Sequence, residues 1–303
     1  MTNLGFGPLI LGGNTFGWTS DRDESFAVLD AFLAAGGTAI DTADVYSAWA
    51  DGNTGGESET ILGEWLASRG HRDRVEIATK VSQHPQRQGL SAATVRAAVE
   101  DSLRRLRTDR IDLYYAHRDD EAVPQEEVLA AFDELVRAGK VREMGVSNFA
   151  PERIRSAVAI AERDGLVRPT VSQDRYNLVE RGAEAELLPA LAELGIVEAP
   201  YSSLASGFLT GKYRPGSEVD SVRAGTAGRY LQAPEGLAVL EALDGIAAAH
   251  GTSATAVSLA WLRQQPQVVA PIASARTPEQ LVDLLASMRL ELTAAELDAL
   301  AGR

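Results

Sequence analysis

Short apolar runs alternate along the chain with longer stretches in which apolar residues recur every three or four positions. The short runs are typical of parallel strands buried on both faces, and the longer stretches are typical of amphipathic helices. We predict eight strands, at residues 9–11, 39–41, 75–80, 111–116, 141–147, 170–173, 196–199 and 268–273. Helices are predicted between them, among others at residues 24–35, 92–106, 126–138 and 152–164. The alternation indicates βα units and a parallel sheet.

Glycines follow three of the predicted helices, at Gly36, Gly139 and Gly165. A helix commonly ends in a left-handed residue, and glycine adopts that conformation without steric cost. Eight βα units in series favour a closed (β/α)8 TIM barrel over a doubly wound open sheet, which would also alternate. Although 303 residues would suit two average domains, this count of units predicts a single barrel domain over residues 1–303.

Two segments near the C-terminus depart from the regular alternation. Residues 203–234 are rich in turn-forming residues, namely Gly207, Gly211, Pro215, Gly216, Gly225 and Gly228. This composition favours a long functional loop or lid over a linker between domains. Helical spacing resumes at residues 253–265, and the capping-box pattern Thr-Ala-Ala-Glu at 293–296 predicts a final helix over residues 293–300, outside the barrel.

The charge balance narrows the choice of partners. The chain has 29 Lys and Arg residues against 43 Asp and Glu residues, a net charge of −14. Such a charge opposes binding to nucleic acid and to anionic membrane surfaces, so neither is expected as a partner. An anionic cofactor would need a local site built from cations or backbone amides.

Cysteine is absent, which excludes a disulfide framework, a thiolate nucleophile and a metal site with cysteine ligands. Histidines are scattered without a metal-binding pattern, and the acidic run at residues 119–121 is interpreted as a solvated loop, so no metal is expected. Neither a leader sequence nor an apolar segment of membrane-spanning length is evident. The default expectation is a soluble, cytoplasmic protein.

Polar residues at the ends of the predicted strands are the candidates for chemistry, because barrel enzymes place their active sites there. Asp41 ends the second strand with Tyr46 just beyond it, Lys80 ends the third, and His117 follows the fourth. A free phenol has a pKa of about 10, and a nearby ammonium lowers it by stabilising phenolate. Lys80 would do this for Tyr46, and Asp41 would hold Lys80. His117 could donate a hydrogen bond to a carbonyl oxygen.

Each of these residues taken alone has an ordinary structural interpretation. A lysine that ends a strand is usually an ion-pair partner, a tyrosine is usually part of the core or the rim, and an aspartate after a strand often caps a helix. Their occurrence at successive strand ends favours a shared function, a group that can protonate an alkoxide as it forms from a carbonyl.

The motifs that hold these residues resemble those of the aldo-keto reductases. They are Asp-Thr-Ala-Asp-Val-Tyr at 41–46, Ala-Thr-Lys-Val at 78–81, Tyr-Ala-His at 115–117 and Gly-Val-Ser-Asn-Phe at 145–149. The resemblance continues in family order through Gln-Asp-Arg-Tyr-Asn at 173–177, Tyr-Ser-Ser-Leu-Ala at 201–205, Leu-Thr-Gly-Lys-Tyr at 209–213 and Ala-Arg-Thr-Pro-Glu-Gln-Leu at 275–281. It covers most of the chain.

The resemblance implies a role for each matching residue. Tyr46 would be the general acid in reduction, tuned by Lys80 and Asp41, and His117 would orient the carbonyl. The residues implied to contact the nicotinamide end of the cofactor are Asp41, Ser147, Asn148, Gln173 and, by stacking on the ring, Tyr201. Trp18, Trp49 and Tyr115 lie near the mouth in sequence and are expected either in the substrate wall or in ordinary packing.

The remaining implied contacts are with the phosphates and the adenosine. The pyrophosphate loop would be formed by Ser202, Leu204, Ser206, Gly207 and Lys212, and a first cofactor loop by Gly12, Gly13 and Asn14. The 2′-phosphate contacts would be Ser274, Arg276, Thr277 and Gln280, which favours NADPH (NADP+) over NADH. Two positions depart from the family pattern: Ser274 stands where glycine or lysine is common, and Leu284 replaces an asparagine that usually contacts adenine.

The predicted activity is therefore the NADPH-dependent reduction of an aldehyde or ketone on a small-molecule substrate. Histidine at 117 favours this over reduction of a carbon-carbon double bond, for which the family's steroid reductases carry a glutamate. Two alternatives stay open: an NAD-dependent sugar or polyol dehydrogenase, and a slow-turnover redox-sensing subunit of an ion channel. The sequence predicts no particular oligomeric state.

Overall fold

The computed structural model describes residues 2–216, 219 and 224–302. Eight parallel strands form one sheet: β1 Ile10–Gly12, β2 Ala39–Asp41, β3 Glu76–Val81, β4 Ile111–Ala116, β5 Val141–Ser147, β6 Pro169–Gln173, β7 Val197–Glu198 and β8 Ile272–Ala273. The strand order is β8-β1-β2-β3-β4-β5-β6-β7, so each strand pairs with its neighbour in sequence and β1 also pairs with β8.

Backbone hydrogen bonds join the two end strands of this sheet. The amide of Val269 donates to Glu198 O at 2.8 Å, and the amide of Ile272 donates to Pro200 O at 2.9 Å. The sheet thus curls back on itself, with β7 beside β8. The chain has the (β/α)8 barrel fold that the alternation of elements predicted.

Eleven α-helices occur within the described residues: α1 Arg22–Ala34, α2 Glu57–Arg69, α3 Ala92–Leu106, α4 Gln125–Arg137, α5 Pro151–Asp164, α6 Leu187–Leu194, α7 Ala224–Gly228, α8 Pro234–His250, α9 Ala254–Arg263, α10 Pro278–Ala286 and α11 Ala294–Leu300. None of them is both long and apolar enough to cross a membrane.

Alternate residues along the strands belong to two different hydrophobic cores. Leu11, Ile77 and Tyr114 pack outwards against apolar faces of the surrounding helices. Ile10 and Tyr115, on the opposite faces of their strands, belong to a smaller core inside the barrel. This period of two determines which side chains can reach the barrel mouth, because only the inward-facing series lies along the barrel interior.

Most predicted elements match the observed ones within one or two residues, and the three glycines that follow helices, Gly36, Gly139 and Gly165, have φ of 92°, 72° and 66°. The seventh and eighth strands are shorter than predicted. Residues 268–273 form a strand only at Ile272–Ala273, because Pro271 has no amide hydrogen with which to extend the ladder. A short hairpin, Gln83–His84 with Arg87–Gln88, was not predicted.

The segment predicted as a loop or lid, residues 203–234, is partly helical. It contains the 3-10 segments Ala205–Thr210 and Arg229–Gln232 and the short helix α7, while residues 217–218 and 220–223 lie outside the described residues. The capping box at Thr293 is present, with its side chain accepting from the Glu296 amide, and α11 begins there as predicted.

Candidate active site

The inward-facing series of β2, β3 and β4 ends in ionisable side chains at one mouth of the barrel. Ala39 and Ala78 lie in the inner core, so two residues further along Asp41 and Lys80 also face inwards. The same alternation carries from Tyr115 to His117, just beyond β4. Neighbouring parallel strands therefore bring three separate sequence motifs to a single place.

Tyr46 completes the cluster from the loop after β2. Its hydroxyl donates to Asp41 Oδ2 at 3.1 Å and lies 2.9 Å from Lys80 Nζ. Lys80 Nζ also donates to Asp41 Oδ2 at 2.6 Å and to Thr42 O at 2.8 Å, and its side chain is fully buried. Phenol, ammonium and carboxylate form one hydrogen-bonded group, with the ammonium held in place by three acceptors.

The electrostatics of this group correct one expectation. Burial raises the pKa of Tyr46 well above its ordinary value near 10, and the Asp41 carboxylate beside it raises that pKa further. Burial also lowers the pKa of Lys80, against the opposing effect of Asp41. Burial and Asp41 together outweigh any lowering of the Tyr46 pKa by Lys80, so the net shift of this pKa is upwards.

His117 is held as a neutral imidazole next to Tyr46. Burial lowers its pKa well below 6.5, and the positive charges of Lys80 and Arg118 lower it further. Its ring centroid lies 6.3 Å from that of Tyr46, and its buried Nδ1 has no hydrogen-bond partner within the described part of the chain. A neutral imidazole can donate one hydrogen bond to an oxygen in the space beside the phenol.

A cavity of about 870 Å³ opens above this cluster. It is within the size range of small-molecule sites. Most of the predicted site residues line it: Gly12, Asn14, Asp41, Tyr46, His117, Ser147, Asn148, Gln173, Tyr201, Ser202, Leu204, Ser206, Gly207, Lys212, Ser274, Arg276 and Gln280. The cavity thus connects the four-residue cluster to residues from the two ends of the chain.

Polar side chains at the ends of β5 and β6 form a connected patch on the cavity wall. Asn148 Nδ2 donates to Ser147 Oγ at 2.9 Å, and Tyr201 donates its hydroxyl hydrogen to Asn148 Oδ1 at 2.8 Å. Gln173 Nε2 donates to Asp41 Oδ1 at 2.8 Å, which connects this patch to the acid cluster. The three side chains predicted to bind an amide therefore lie together, beside an aromatic ring.

Asp174 fixes the backbone of this patch. Asn148 has a φ of 56°, a left-handed conformation that is unusual for a residue other than glycine, and its amide donates to Asp174 Oδ1 at 3.0 Å. Ser172 donates to the other carboxylate oxygen at 2.6 Å. Burial raises the pKa of Asp174 from 3.8 to about 6. The conformation of the wall thus depends on a buried carboxyl group that titrates in mildly acidic solution.

This raised pKa predicts a pH effect on stability. Between pH of about 4 and 6 the folded protein keeps a proton on Asp174 that the unfolded chain releases, so the stability contributed by Asp174 falls as pH rises through that window. In Asp174→Asn, which mimics the protonated acid, this loss is absent. The free energy of unfolding of the variant, relative to wild type, should rise by up to about 3 kcal/mol from pH 4 to 7.

Urea denaturation at several pH values measures this difference. Asp298→Asn, which changes an exposed carboxylate on α11, is the matched control and should follow the wild-type pH dependence. Parallel curves for wild type and Asp174→Asn would show that Asp174 is already ionised in the folded protein at pH 4.

A strained turn follows β7 and begins directly after Tyr201. Ser202, Ala205 and Ser206 have φ of 59°, 47° and 57°, and Gly207 follows with 90°. Strained backbone of this kind is concentrated at ligand-binding sites. A β-carbon at Gly207 would lie 3.4 Å from Lys212 Cε, so glycine also leaves room for the lysine to approach the turn.

The turn before α10 supplies the remaining predicted contacts. Arg276 is exposed, its backbone amide donates to Gln280 Oε1 at 3.1 Å, and Ser274 Oγ hydrogen-bonds Asn14 Oδ1 across the chain ends. Two predicted contacts do not face the cavity, Gly13 and Thr277. The amide of Gly13 instead donates a hydrogen bond to Asp41 O at 2.7 Å. A β-carbon at this position would lie only 2.9 Å from Ser58 Oγ, so the backbone packs closely here.

Cations without a carboxylate partner are concentrated at this cavity. Most described lysines and arginines lie within 4.0 Å of a carboxylate. Within residues 2–216, 219 and 224–302 the exceptions are Arg74, Arg118, Lys212, Arg276 and Arg289. Three of these, Arg118, Lys212 and Arg276, line the cavity. A protein with a net charge of −14 thus keeps positive charge available for an anion at one place.

Several lining residues were not predicted, among them Gln83, Arg118, Arg175 and Thr255. Arg118 follows His117 directly, and its place after a strand end was the signal that could have identified it. Of the aromatic candidates, Trp18 and Trp49 line the cavity with ring centroids 5.6 Å apart, while Tyr115 is buried in the inner core.

The barrel mouth joins a buried phenol-ammonium pair to a cavity that is lined by cations without a carboxylate partner among the described residues. These are features of an oxidoreductase that uses a nicotinamide cofactor. Comparison with known proteins establishes this class. Residues 8–302 match the model of the Aldo/keto reductase family, and the chain belongs to that family. It is therefore an NAD(P)H-dependent oxidoreductase of a family that acts on small carbonyl compounds.

Relatives of known sequence agree with this membership. Uncharacterized oxidoreductase YrpG of Bacillus subtilis is 35% identical over 300 residues, covering 96% of this chain and 90% of the relative. Norsolorinic acid reductase stcV of Emericella nidulans is 34% identical, covering 96% and 76%. Aflatoxin B1 aldehyde reductase member 4 of Homo sapiens is 35% identical, covering 86% and 80%.

Proposed function

We propose that the protein reduces an aldehyde or ketone to an alcohol with NADPH, and that residues 1–303 form the single barrel domain that does so. The observation that carries this proposal is the contact of the Tyr46 hydroxyl with Lys80 Nζ at 2.9 Å, at the base of a cavity with His117 in its wall. The names of two relatives, a reductase of norsolorinic acid and a reductase of aflatoxin B1 aldehyde, support the direction of reduction.

Tyr46 supplies the proton in this proposal. A nicotinamide bound in this cavity would supply hydride to the carbonyl carbon, and the carbonyl oxygen would gain negative charge. A phenol with a raised pKa remains protonated and available at neutral pH, and an alkoxide is a stronger base than a phenolate, so the proton moves to the substrate oxygen. Lys80 then stabilises the phenolate left behind, and Asp41 holds the ammonium in position.

His117 orients the substrate. Because its pKa is lowered well below 6.5, the imidazole is neutral and donates a single hydrogen bond, which we assign to Nε2. That hydrogen bond and the Tyr46 hydroxyl converge on the carbonyl oxygen from two sides. The carbonyl carbon is thereby presented to the part of the cavity lined by Ser147, Asn148 and Gln173.

The cofactor residues divide along the cavity into three groups. Ser147, Asn148 and Gln173 would bind the carboxamide, and Tyr201 would pack against the nicotinamide ring. The pyrophosphate is held by the strained turn, through Ser202, Leu204, Ser206, Gly207 and Lys212, with Gly12 and Asn14 on the adjoining wall. Ser274, Arg276 and Gln280 hold the adenosine 2′-phosphate. Lys212 and Arg276 fit these anionic groups because neither pairs with a carboxylate within the described residues.

Cofactor preference tests the proposal. Wild type should oxidise NADPH in the presence of an activated aldehyde such as 4-nitrobenzaldehyde, with a higher kcat/KM for NADPH than for NADH. Arg276→Ala removes the cation assigned to the 2′-phosphate, so the ratio of the two kcat/KM values should fall about 10- to 100-fold, as expected for a charge-assisted hydrogen bond. Initial rates at 340 nm with each cofactor measure the ratio.

Arg289→Ala is the matched control for this experiment. Arg289 is also exposed, lacks an ion-pair partner within the described residues and lies just after α10, but it does not line the cavity. Its substitution should leave the ratio unchanged. A wild type that prefers NADH, or an Arg276→Ala variant with an unaltered ratio, would refute the assignment of the phosphate site.

A further inference from the structure

Arg118 lies in the active-site mouth but has no role in the reaction proposed above. It follows His117 directly, its side chain is exposed, and it lines both the main cavity and a side cavity of about 440 Å³. The charge of Arg118 is close enough to lower the pKa of His117. A cation thus stands at the junction of the two cavities, next to the residue that orients the carbonyl.

The two nearest acidic residues in sequence, Asp119 and Asp120, also line the side cavity, but each is hydrogen-bonded to another part of the chain rather than to Arg118. Asp119 Oδ2 and Oδ1 accept hydrogen bonds from the Arg153 guanidinium at 2.6 and 3.0 Å. Asp120 accepts from the backbone amides of Leu90, at 2.9 Å, and Ala122, at 3.2 Å. Neither carboxylate lies within 4.0 Å of the Arg118 side chain, so its guanidinium has no protein counterion within the described residues.

Two more polar side chains lie beside Arg118 in the side cavity. Gln83, from the short hairpin after β3, lines both cavities, as Arg118 does. Ser82 precedes it with a φ of 116°, a strained value for serine, and its side-chain oxygen is buried without a hydrogen-bond partner in the described part of the chain. A guanidinium, an amide and an unpaired hydroxyl therefore face the same small space.

The position of this cluster separates it from the cofactor phosphates. Arg118 and Gln83 follow β4 and β3, whereas Lys212 and Arg276 lie after β7 and beyond β8. In an eight-stranded barrel, β4 stands across the mouth from β8. An anion bound by Arg118 therefore belongs to the substrate rather than to the cofactor.

We propose that Arg118, Gln83 and Ser82 form a subsite for a carboxylate on the substrate, so that the preferred substrates are aldehydes or ketones that also carry a carboxylate. A guanidinium suits this group because its planar donors match the two carboxylate oxygens. The amide of Gln83 and the hydroxyl of Ser82 add uncharged donors. The inference rests on the proposed function, since it names the substrate class of the same site.

Matched aldehydes test the subsite. 4-Carboxybenzaldehyde and its methyl ester, methyl 4-formylbenzoate, differ chiefly in the charge of one group. Wild type should have the higher kcat/KM for the carboxylate. In Arg118→Gln the ratio of kcat/KM for acid over ester should fall about 10- to 100-fold, mainly through KM for the acid, because a charge-assisted contact is lost. Arg118→Lys should give an intermediate ratio, since it keeps the charge without the planar fork.

Arg74→Gln is the matched control for net charge. Arg74 is exposed and without an ion-pair partner within the described residues, but it lies before β3, at the end of that strand away from the mouth. Its substitution should leave the acid-to-ester ratio at the wild-type value. An unchanged ratio in Arg118→Gln, or equal losses for acid and ester, would overturn the carboxylate subsite.

A binding measurement separates failure of the subsite from failure of the proposed reaction. Titration calorimetry should show benzoate binding to the wild-type enzyme saturated with NADPH more tightly than benzamide, and Arg118→Gln should remove that difference. If neither aldehyde is turned over but benzoate binding still depends on Arg118, the proposed reaction fails and the subsite stands. If the aldehydes are turned over and wild type binds benzoate no better than benzamide, the subsite fails alone.

Discussion

Tyr46→Phe should lower kcat for carbonyl reduction by about 10²- to 10⁴-fold, the usual contribution of a general acid. The substitution removes the proton donor and keeps the ring, so the edge contacts of Tyr46 with Trp49 and His117, at centroid distances of 6.0 and 6.3 Å, are retained. Lys80 keeps two of its acceptors, Asp41 and Thr42 O. Loss of stability should therefore be small, on the order of 1 kcal/mol.

Steady-state rates with a saturating activated aldehyde measure the loss, and quenching of protein fluorescence by NADPH shows whether the cofactor still binds. Tyr114→Phe is the matched control, because the Tyr114 hydroxyl is also buried but lies on the outer face of β4, away from the cavity. It should keep kcat within about twofold of wild type. Activity of Tyr46→Phe near the wild-type level would show that another group protonates the substrate.

The cluster of Asp41, Lys80 and His117 was predictable because it depends on two robust features of the sequence. Apolar runs identify the strands, and the first polar residue after a buried run marks the strand end. Neither feature requires the exact bounds of a strand. Strand β1 lies one residue later than predicted, yet Asp41 still ends β2 at the mouth, paired with Gly12. The prediction of a closed barrel follows equally from the number of βα units.

The closing strands were less predictable, because their apolar pattern is interrupted by backbone chemistry. Pro200 and Pro271 have no amide hydrogen to donate to a ladder, so β7 and β8 are only two residues long. Separate backbone hydrogen bonds, rather than a continuous ladder, close the barrel. The pKa values of the site residues were harder still to predict from the sequence. Proximity of Lys80 to Tyr46 was inferred correctly, but the pKa of Tyr46 is controlled by burial and by Asp41, and the extent of burial is a property of the folded protein.

Arg118 illustrates a different limit of prediction from the sequence, which is that the partners of a charged side chain are not visible there. An exposed arginine after a strand is usually solvated or paired with a neighbouring acid, and two aspartates follow it in sequence. Only the structure shows that Asp119 is engaged by Arg153 and that Asp120 is engaged by backbone amides. The absence of a partner within the described residues, rather than the residue type, makes Arg118 a candidate for binding.

Lys80→Met should have two effects that can be separated experimentally. Catalysis should fall by about 10²- to 10⁴-fold, because no cation remains to stabilise the Tyr46 phenolate. Stability should fall by about 3 to 5 kcal/mol, because Asp41, which is 1% exposed, loses its cationic partner in the barrel interior. Urea denaturation measures the second effect, and aldehyde reduction by the folded variant measures the first.

The double variant Lys80→Met with Asp41→Asn distinguishes catalysis from folding. It removes the unpaired charge together with the ammonium, and the asparagine oxygen can still accept the hydrogen bond from Gln173 Nε2 that Asp41 Oδ1 accepts at 2.8 Å. Replacement of both members of a buried ion pair is often close to neutral for stability, so the double variant should regain most of the lost unfolding free energy. Its catalytic rate should stay as low as that of Lys80→Met. Recovery of the rate together with stability would mean that Lys80 supports the fold alone, and that the proton leaves Tyr46 without help from the ammonium.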